Sequence, residues 1–172
     1  TRNDLEAAIQ LFQKAIDIEP CYIEAKVKLV LASLLLERLA FDRESFLAQE
    51  KITDQFVKQY LEPLGPEFDT NYELNGAMGR YHQLRYRYKV AGEHFAKALE
   101  LNTNYASAYL WRADLFYEKA DYQAMLADRE KAYQLDPMSL EISRELAYDY
   151  RSFWRPNDAE RVIDRMFKLY PD

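Results

Sequence analysis

Ala91-Gly92-Glu93-His94-Phe95-Ala96-Lys97-Ala98-Leu99-Glu100-Leu101 restates Ala8-Ile9-Gln10-Leu11-Phe12-Gln13-Lys14-Ala15-Ile16-Asp17-Ile18. In both, a small residue is followed by phenylalanine four positions on and by alanine seven positions on, which places all three on one stripe of an α-helix. Alanine on such a stripe lets a second helix approach closely. The earlier copy stops at Pro20, whose ring and missing N–H cannot continue a helix. Two further versions follow: Ala132-Tyr133-Gln134-Leu135-Asp136-Pro137, and Ala159 with Ile163, Met166, Leu169 and Pro171. Pro171 lies 34 residues after Pro137, and Ala132 lies 34 after Ala98, so the chain is written with a 34-residue period.

The period leaves room for a partner helix before each copy, predicted over 72–86, 106–119 and 140–153. Thr70 with Glu73, Asn157 with Glu160 and Asn3 with Glu6 have the spacing of helix-capping pairs and agree with this phasing. Residues 21–69 break the period: Thr103 lies 83 residues after Pro20, 15 more than two periods. Residues 22–40 read as a nearly all-apolar helix. Residues 43–62 read as a long amphipathic one with Ile52, Phe56 and Tyr60 on its apolar face, followed by a loop at Pro63, Gly65 and Pro66. This is an enlarged hairpin whose second helix overhangs the stack.

Composition narrows the function. A chain of 172 residues, 49% hydrophobic, with only 4 Gly and 6 Pro, has a core's worth of apolar side chains and too few turn residues for an all-β fold. A net charge of -6 argues against a phosphate backbone as the main partner. The longest apolar run, Leu29–Leu36, is far shorter than the roughly 20 residues of a spanning helix, so no membrane insertion is expected. Cys21 alone makes neither an internal disulfide nor a metal site. Thr1 stands where an initiating Met would be expected, and the outer helices lack evident caps, so the chain reads as part of something larger. A cytoplasmic setting is the default expectation.

The period and the residues Tyr88, Ala91, Phe95 and Ala98, with Tyr122, Ala132 and Pro137 one period on, resemble the tetratricopeptide repeat family. Thr103 replaces a closing proline, Met125 and Arg129 replace the small and aromatic residues of the next copy, and the first-helix tryptophan and glycine are mostly absent, although Gly79 survives and Tyr109 can stand in for Trp. The resemblance implies an all-α superhelix, a solenoid of antiparallel hairpins with about nine helices. Residues 1–172 form one array in this reading: 1–20 a lone second helix, 21–69 the irregular hairpin, and 70–105, 106–139 and 140–172 regular repeats.

Residues that could carry chemistry are sparse. His82 and His94 fall on different helices of one hairpin with nothing pairing them, and read as packed or solvent-facing side chains. Gly76 and Gly79 form a G-x-x-G without the strand or lysine of a phosphate loop, and close helix packing accounts for them. No serine has a histidine at a telling offset. No enzyme activity, cofactor or metal is expected. The run Arg80-Tyr81-His82-Gln83-Leu84-Arg85-Tyr86-Arg87-Tyr88-Lys89 interleaves basic and aromatic residues as nucleic-acid binders do. Against the net charge it reads instead as a helix end and turn, with Tyr81 and Tyr88 inside and the arginines outside, so no nucleic acid is expected here.

In the family the first helices line the concave face, and residues one period apart form rows along it. The rows here are Arg80, Asp114 and Tyr148; Gln83, Tyr117 and Arg151; and Gly76, Leu110 and Arg144. The resemblance thus implies a partner-binding groove of Arg80, Gln83, Leu110, Asp114, Tyr117, Arg144, Tyr148 and Arg151. Its composition suits a protein or peptide with acidic and aromatic groups. The clamp by which some members hold a chaperone's C-terminal carboxylate is not matched, since Gly76 with Arg80 and Leu110 with Asp114 stand at those positions. Val27, Leu31 and Leu34 would add an apolar pocket if exposed. The expected function is a protein-interaction module of a larger regulatory or assembly protein. Two rival readings are a homo-oligomerisation scaffold, dimerising through an open end, and a sensor domain of a bacterial transcriptional regulator or cyclase.

Overall fold

The computed structural model describes residues 1–171; Asp172, the last residue of the repeat expected at 140–172, lies outside them. Among the described residues there are nine α-helices and no strand: α1 (Arg2–Ile18), α2 (Ile23–Arg38), α3 (Arg43–Phe56), α4 (Tyr72–Leu84), α5 (Tyr88–Leu101), α6 (Ala106–Glu118), α7 (Tyr122–Leu135), α8 (Leu140–Ser152) and α9 (Pro156–Leu169). The helices α4 and α5, α6 and α7, and α8 and α9 pack as hairpins, and α5 on α6 and α7 on α8 join one hairpin to the next. The helices α2, α4 and α6 also touch in sequence, which makes them an inner row. The expected all-α solenoid is what the chain forms.

The decisive stripe does what its spacing demands. Ala91, Phe95 and Ala98 are fully buried, as is Ala132 one period after Ala98. Gly79 is small for a reason: a methyl group on it would lie 2.5 Å from the Phe95 ring, and one on Gly76 equally close to Tyr105. Both glycines admit a ring between two helices.

Each first helix of a regular hairpin ends in the same left-handed residue. Tyr86, Ala120 and Trp154, at 34-residue spacing, have φ of 58°, 56° and 57°. The following N–H reaches back five residues in every case, Arg87 to the His82 carbonyl at 2.9 Å, Asp121 to Phe116 at 2.9 Å and Arg155 to Tyr150 at 2.8 Å. Glycine is the usual occupant of such a position because a Cβ there costs about 1–2 kcal/mol.

The irregular region differs from its reading in detail. α2 is buried over most of its circumference, at Val27, Leu29, Val30, Ala32, Leu34 and Leu36, because α1, α3 and α4 pack against it from different sides, and Leu35, 43% exposed, lies on the open stripe. The long helix predicted at 43–62 forms, but its last turn is a π-helical segment, Val57–Leu61, closed by the Glu62 N–H on the Val57 carbonyl. Its deepest residues are Thr53, Val57 and Leu61, one position beyond the predicted face, and Ile52 is exposed. Thr53 can be buried because its hydroxyl meets Ser33 on α2 at 2.7 Å, and Gln49 donates to the same Ser33 at 2.8 Å.

The expected caps are displaced by one or two residues. Thr1, not Asn3, caps α1 together with Asp4. Asn71, not Thr70, accepts the Leu74 N–H at 2.9 Å, because Thr70 closes the 3-10 turn Pro66–Asp69 before it, its N–H on the Glu67 carbonyl at 3.2 Å. α9 has no side-chain cap; Pro156 presets its first turn and leaves Asn157 inside.

Candidate functional site

Along the inner row the last turns of α4, α6 and α8 carry polar residues, and the superhelix turns these toward one another. They bound a cleft of about 460 Å³, completed by the first turns of α5 and α7. Its floor is a ladder of paired charges. The Arg80 guanidinium is 8% exposed and donates to Gln83 at 2.7 Å and to Asp114 at 3.1 Å. Arg129, from α7, donates to Asp114 at 2.6 Å, to Asp149 at 3.0 Å and to the Leu110 carbonyl at 2.8 Å. Burial pulls the pKa of Arg80 down and Asp114 opposes it. Burial also pushes the Asp149 carboxyl up, against the pull of Arg129.

Arg129 stands one period after Phe95, where the repeat calls for a ring. The guanidinium takes over the ring's bridging role, tying α6 to α8 by ion pairs rather than by apolar contact, while Met125 fills space beside it at 1% exposure. Sequence reading missed Arg129 as a wall residue. The available signal was a charge at a core position of the period, which requires buried partners.

The predicted residues divide into three groups. Arg80, Gln83, Asp114, Tyr117 and Tyr148 line the cleft, and Leu110 lines an adjoining recess with Arg80, Arg129 and Glu145. Arg144 and Arg151 are exposed and line neither. The cleft also takes Tyr86, Tyr88 and Glu118, which the rows did not indicate because they sit at or beyond the helix ends. Tyr117 and Tyr148 are 57% and 69% exposed, and Tyr86 is 81% exposed.

Past Arg38 and Arg80 the wall continues into a cavity of about 180 Å³ lined by Leu31, Leu34, Leu35, Leu84, Tyr105 and Trp111. Leu31 and Leu34 thus do border a recess, whereas Val27 is sealed in the core with Val57, Leu61 and Leu74. Arg38, at the end of α2, reaches Glu141 at the start of α8 at 3.7 Å, spanning the whole inner row.

The basic-aromatic run resolves differently from its reading. Tyr81 is buried as expected, but so are two of the arginines: Arg80 in the ladder, and Arg85, which donates to Glu37 at 3.0 and 3.1 Å and to Asp54 at 2.8 Å. Burial opposes the Arg85 charge, but the bonds from Glu37 and Asp54 outweigh it and raise its pKa. Arg85 thereby bolts the overhanging α3 to the stack. Of these arginines Arg87 is the exposed one. The two histidines are not independent either: their rings stack at 5.5 Å and 11° between α4 and α5, with the His94 Nδ1 on Asn75 at 3.1 Å. The His82 Nδ1 is buried without a partner, and its pKa falls to about 4 through burial and then the neighbouring His94. Among the described residues no group of three or more His, Cys, Asp or Glu could hold a metal ion, and no helix is long and apolar enough to cross a membrane.

No protein-family model matches the chain. A DnaJ homolog subfamily C member 7 homolog of Dictyostelium discoideum is 27% identical over 150 residues, which are 84% of this chain and 27% of that protein. The chain therefore spans about a quarter of that relative's length. Among solved structures, TTC0263, a thermophilic TPR protein of Thermus thermophilus, superposes with a TM-score of 0.61 at 22% identity, covering 98% of this chain and 84% of that one. YrrB, a TPR protein with an unusual peptide-binding site, gives 0.54 at 18% identity over 99% and 80%. MamA gives 0.58 at 15% identity over 98% and 90%. The fold is that of the tetratricopeptide repeat.

Proposed function

We propose that this tetratricopeptide-type solenoid is a protein-interaction module, and that the wall formed by α2, α4, α6 and α8 holds an extended segment of a partner polypeptide. The observation that carries the reading is the cleft of about 460 Å³, whose rims expose Tyr86, Tyr117 and Tyr148, large rings that the fold itself leaves mostly uncovered. Tyrosine suits such a wall because it offers wide, rigid contact area at small entropic cost. In this reading Tyr117 and Tyr148 touch the guest, while Arg80, Gln83, Leu110 and Asp114 set the shape of the floor. Arg144 and Arg151 lie outside the contact. Residues 1–172 act as one array, with the irregular hairpin 21–69 supplying the apolar end of the wall. YrrB, which shares the fold, carries a peptide-binding site, and that supports a peptide as the guest.

The test is selection of displayed random dodecapeptides on the purified chain, followed by titration against two variants. Tyr117→Ala with Tyr148→Ala should weaken the selected peptides at least tenfold, and Lys97→Glu on α5 should leave them unchanged. Peptides that bind both variants equally would remove the cleft from consideration.

A further inference from the structure

We infer that the cleft is selective for a basic side chain, an arginine or lysine of the guest, held over tyrosine faces beside Glu118. The inference rests on the groove-binding reading above and specifies its guest.

The charges decide the sign. Three cations line the cleft, Arg38, Arg80 and Arg129, against four carboxylates, Asp114, Glu118, Glu145 and Asp149. Every cation is already engaged, Arg38 with Glu141, Arg80 with Asp114, and Arg129 with Asp114 and Asp149. At Arg80 or Arg129 an acidic guest would have to pull a guanidinium out of a buried pair and leave its carboxylate uncompensated, and at Arg38 it would have to displace Glu141 from an exposed one. A basic guest breaks no ion pair, because Glu118 is exposed, has the Tyr88 hydroxyl beside it and pairs with no cation among the described residues. Of the row arginines behind the expected acidic guest, Arg80 alone lines the cleft and is held by Asp114, while Arg144 and Arg151 lie outside it, so those rows offer an acidic guest no free cation there.

The rings supply the second half. Tyr86 and Tyr88 stand edge to face at 6.2 Å, and both border the cleft with Tyr117 and Tyr148. Four tyrosines lining one opening, next to a carboxylate with no cation partner, form the environment that attracts a guanidinium or ammonium ion through the ring quadrupole. The chain already uses this contact elsewhere, with Arg155 4.4 Å over Tyr150 and Arg112 5.4 Å over Tyr109.

The composition of the peptides selected from the random dodecapeptide library tests the inference. Peptides that depend on Tyr117 and Tyr148 should be enriched in Arg and Lys. Replacing that residue by citrulline or norleucine in a synthetic copy should weaken it about tenfold, and Glu118→Gln should weaken it severalfold with a steep loss in salt. Tyr117→Phe and Tyr148→Phe should retain most of the affinity lost in the alanine variants, since a phenyl face still attracts cations. Cleft-dependent peptides enriched in Asp, Glu or purely apolar residues would overturn the basic guest while leaving the groove reading intact. A library yielding no cleft-dependent peptide overturns both.

Discussion

Arg129 donates to Asp114 at 2.6 Å from the position that Phe95 holds one period earlier. A ring that would bury apolar area has been exchanged for a buried cation with two carboxylates. Removing the cation alone, as in Arg129→Met, should cost about 3–5 kcal/mol, because Asp149 is left charged and buried. Thermal melting checks it. The carboxyl of Asp149 already sits above its ordinary value, so its contribution to stability is fully present below the unfolded pKa and is lost as pH rises through the folded one. Acidification should accordingly recover part of the loss in the variant. Arg129→Phe combined with Asp149→Leu should melt close to the parent.

The left-handed turns predict an effect of opposite sign. Trp154 is 92% exposed at φ 57° and packs too little to offset its strain. Trp154→Gly should stabilise the chain by about 1 kcal/mol, raising Tm by roughly 2–4 °C. Tyr86→Gly should do the same for stability and lower affinity for a basic peptide, because that ring borders the cleft.

Gly79→Ala places a methyl group 2.5 Å from the Phe95 ring. The ring is fully buried and has no room to move, so overpacking should cost about 1–3 kcal/mol in denaturant titration. Phe95→Leu in the same chain should return part of that loss, whereas Gly65→Ala, with open space around it, should melt as the parent does.

The stacked histidines predict a pH dependence. His82 has a folded pKa of about 4 against an ordinary 6.5, so the unfolded chain takes up its proton first. Above pH 6.5 neither state is charged and His82 adds no slope to stability. Between pH 6.5 and about 4 stability falls as protons bind the unfolded state. His82→Phe should flatten the melting profile over that window and leave it unchanged at mildly alkaline pH; an unaltered slope would assign the acid loss to other groups.

Much of the fold was legible because the period repeats the same constraint. The predicted ends of α4, α6 and α8 fall within two residues of the observed ones, since Tyr86, Ala120 and Trp154 close each helix at the same point of the period. The face of α3 was misplaced by one residue because Thr53 looks polar in the sequence, and only the Ser33 hydroxyl across the interface makes it a core residue. The wall shows the same limit more sharply. Arg80 and Asp114 stand in one row 34 residues apart, and that much could be read. That stacking brings them to 3.1 Å and commits both charges to each other is a property of the pair and not of either residue. Exposure passed instead to tyrosines, Tyr117 and Tyr148 within the rows and Tyr86 beyond a helix end and outside them.

Arg38 and Glu141 bring the first and last inner helices within one ion pair of each other, and at 42% exposure each the link is weak and screened by salt. The packed hairpins set how tightly the coil winds, and this pair adds only a slight, wet brace across its mouth. Dilute buffer keeps that brace in place and concentrated salt loosens it, so ionic strength acts on the rim and leaves the coil itself untouched.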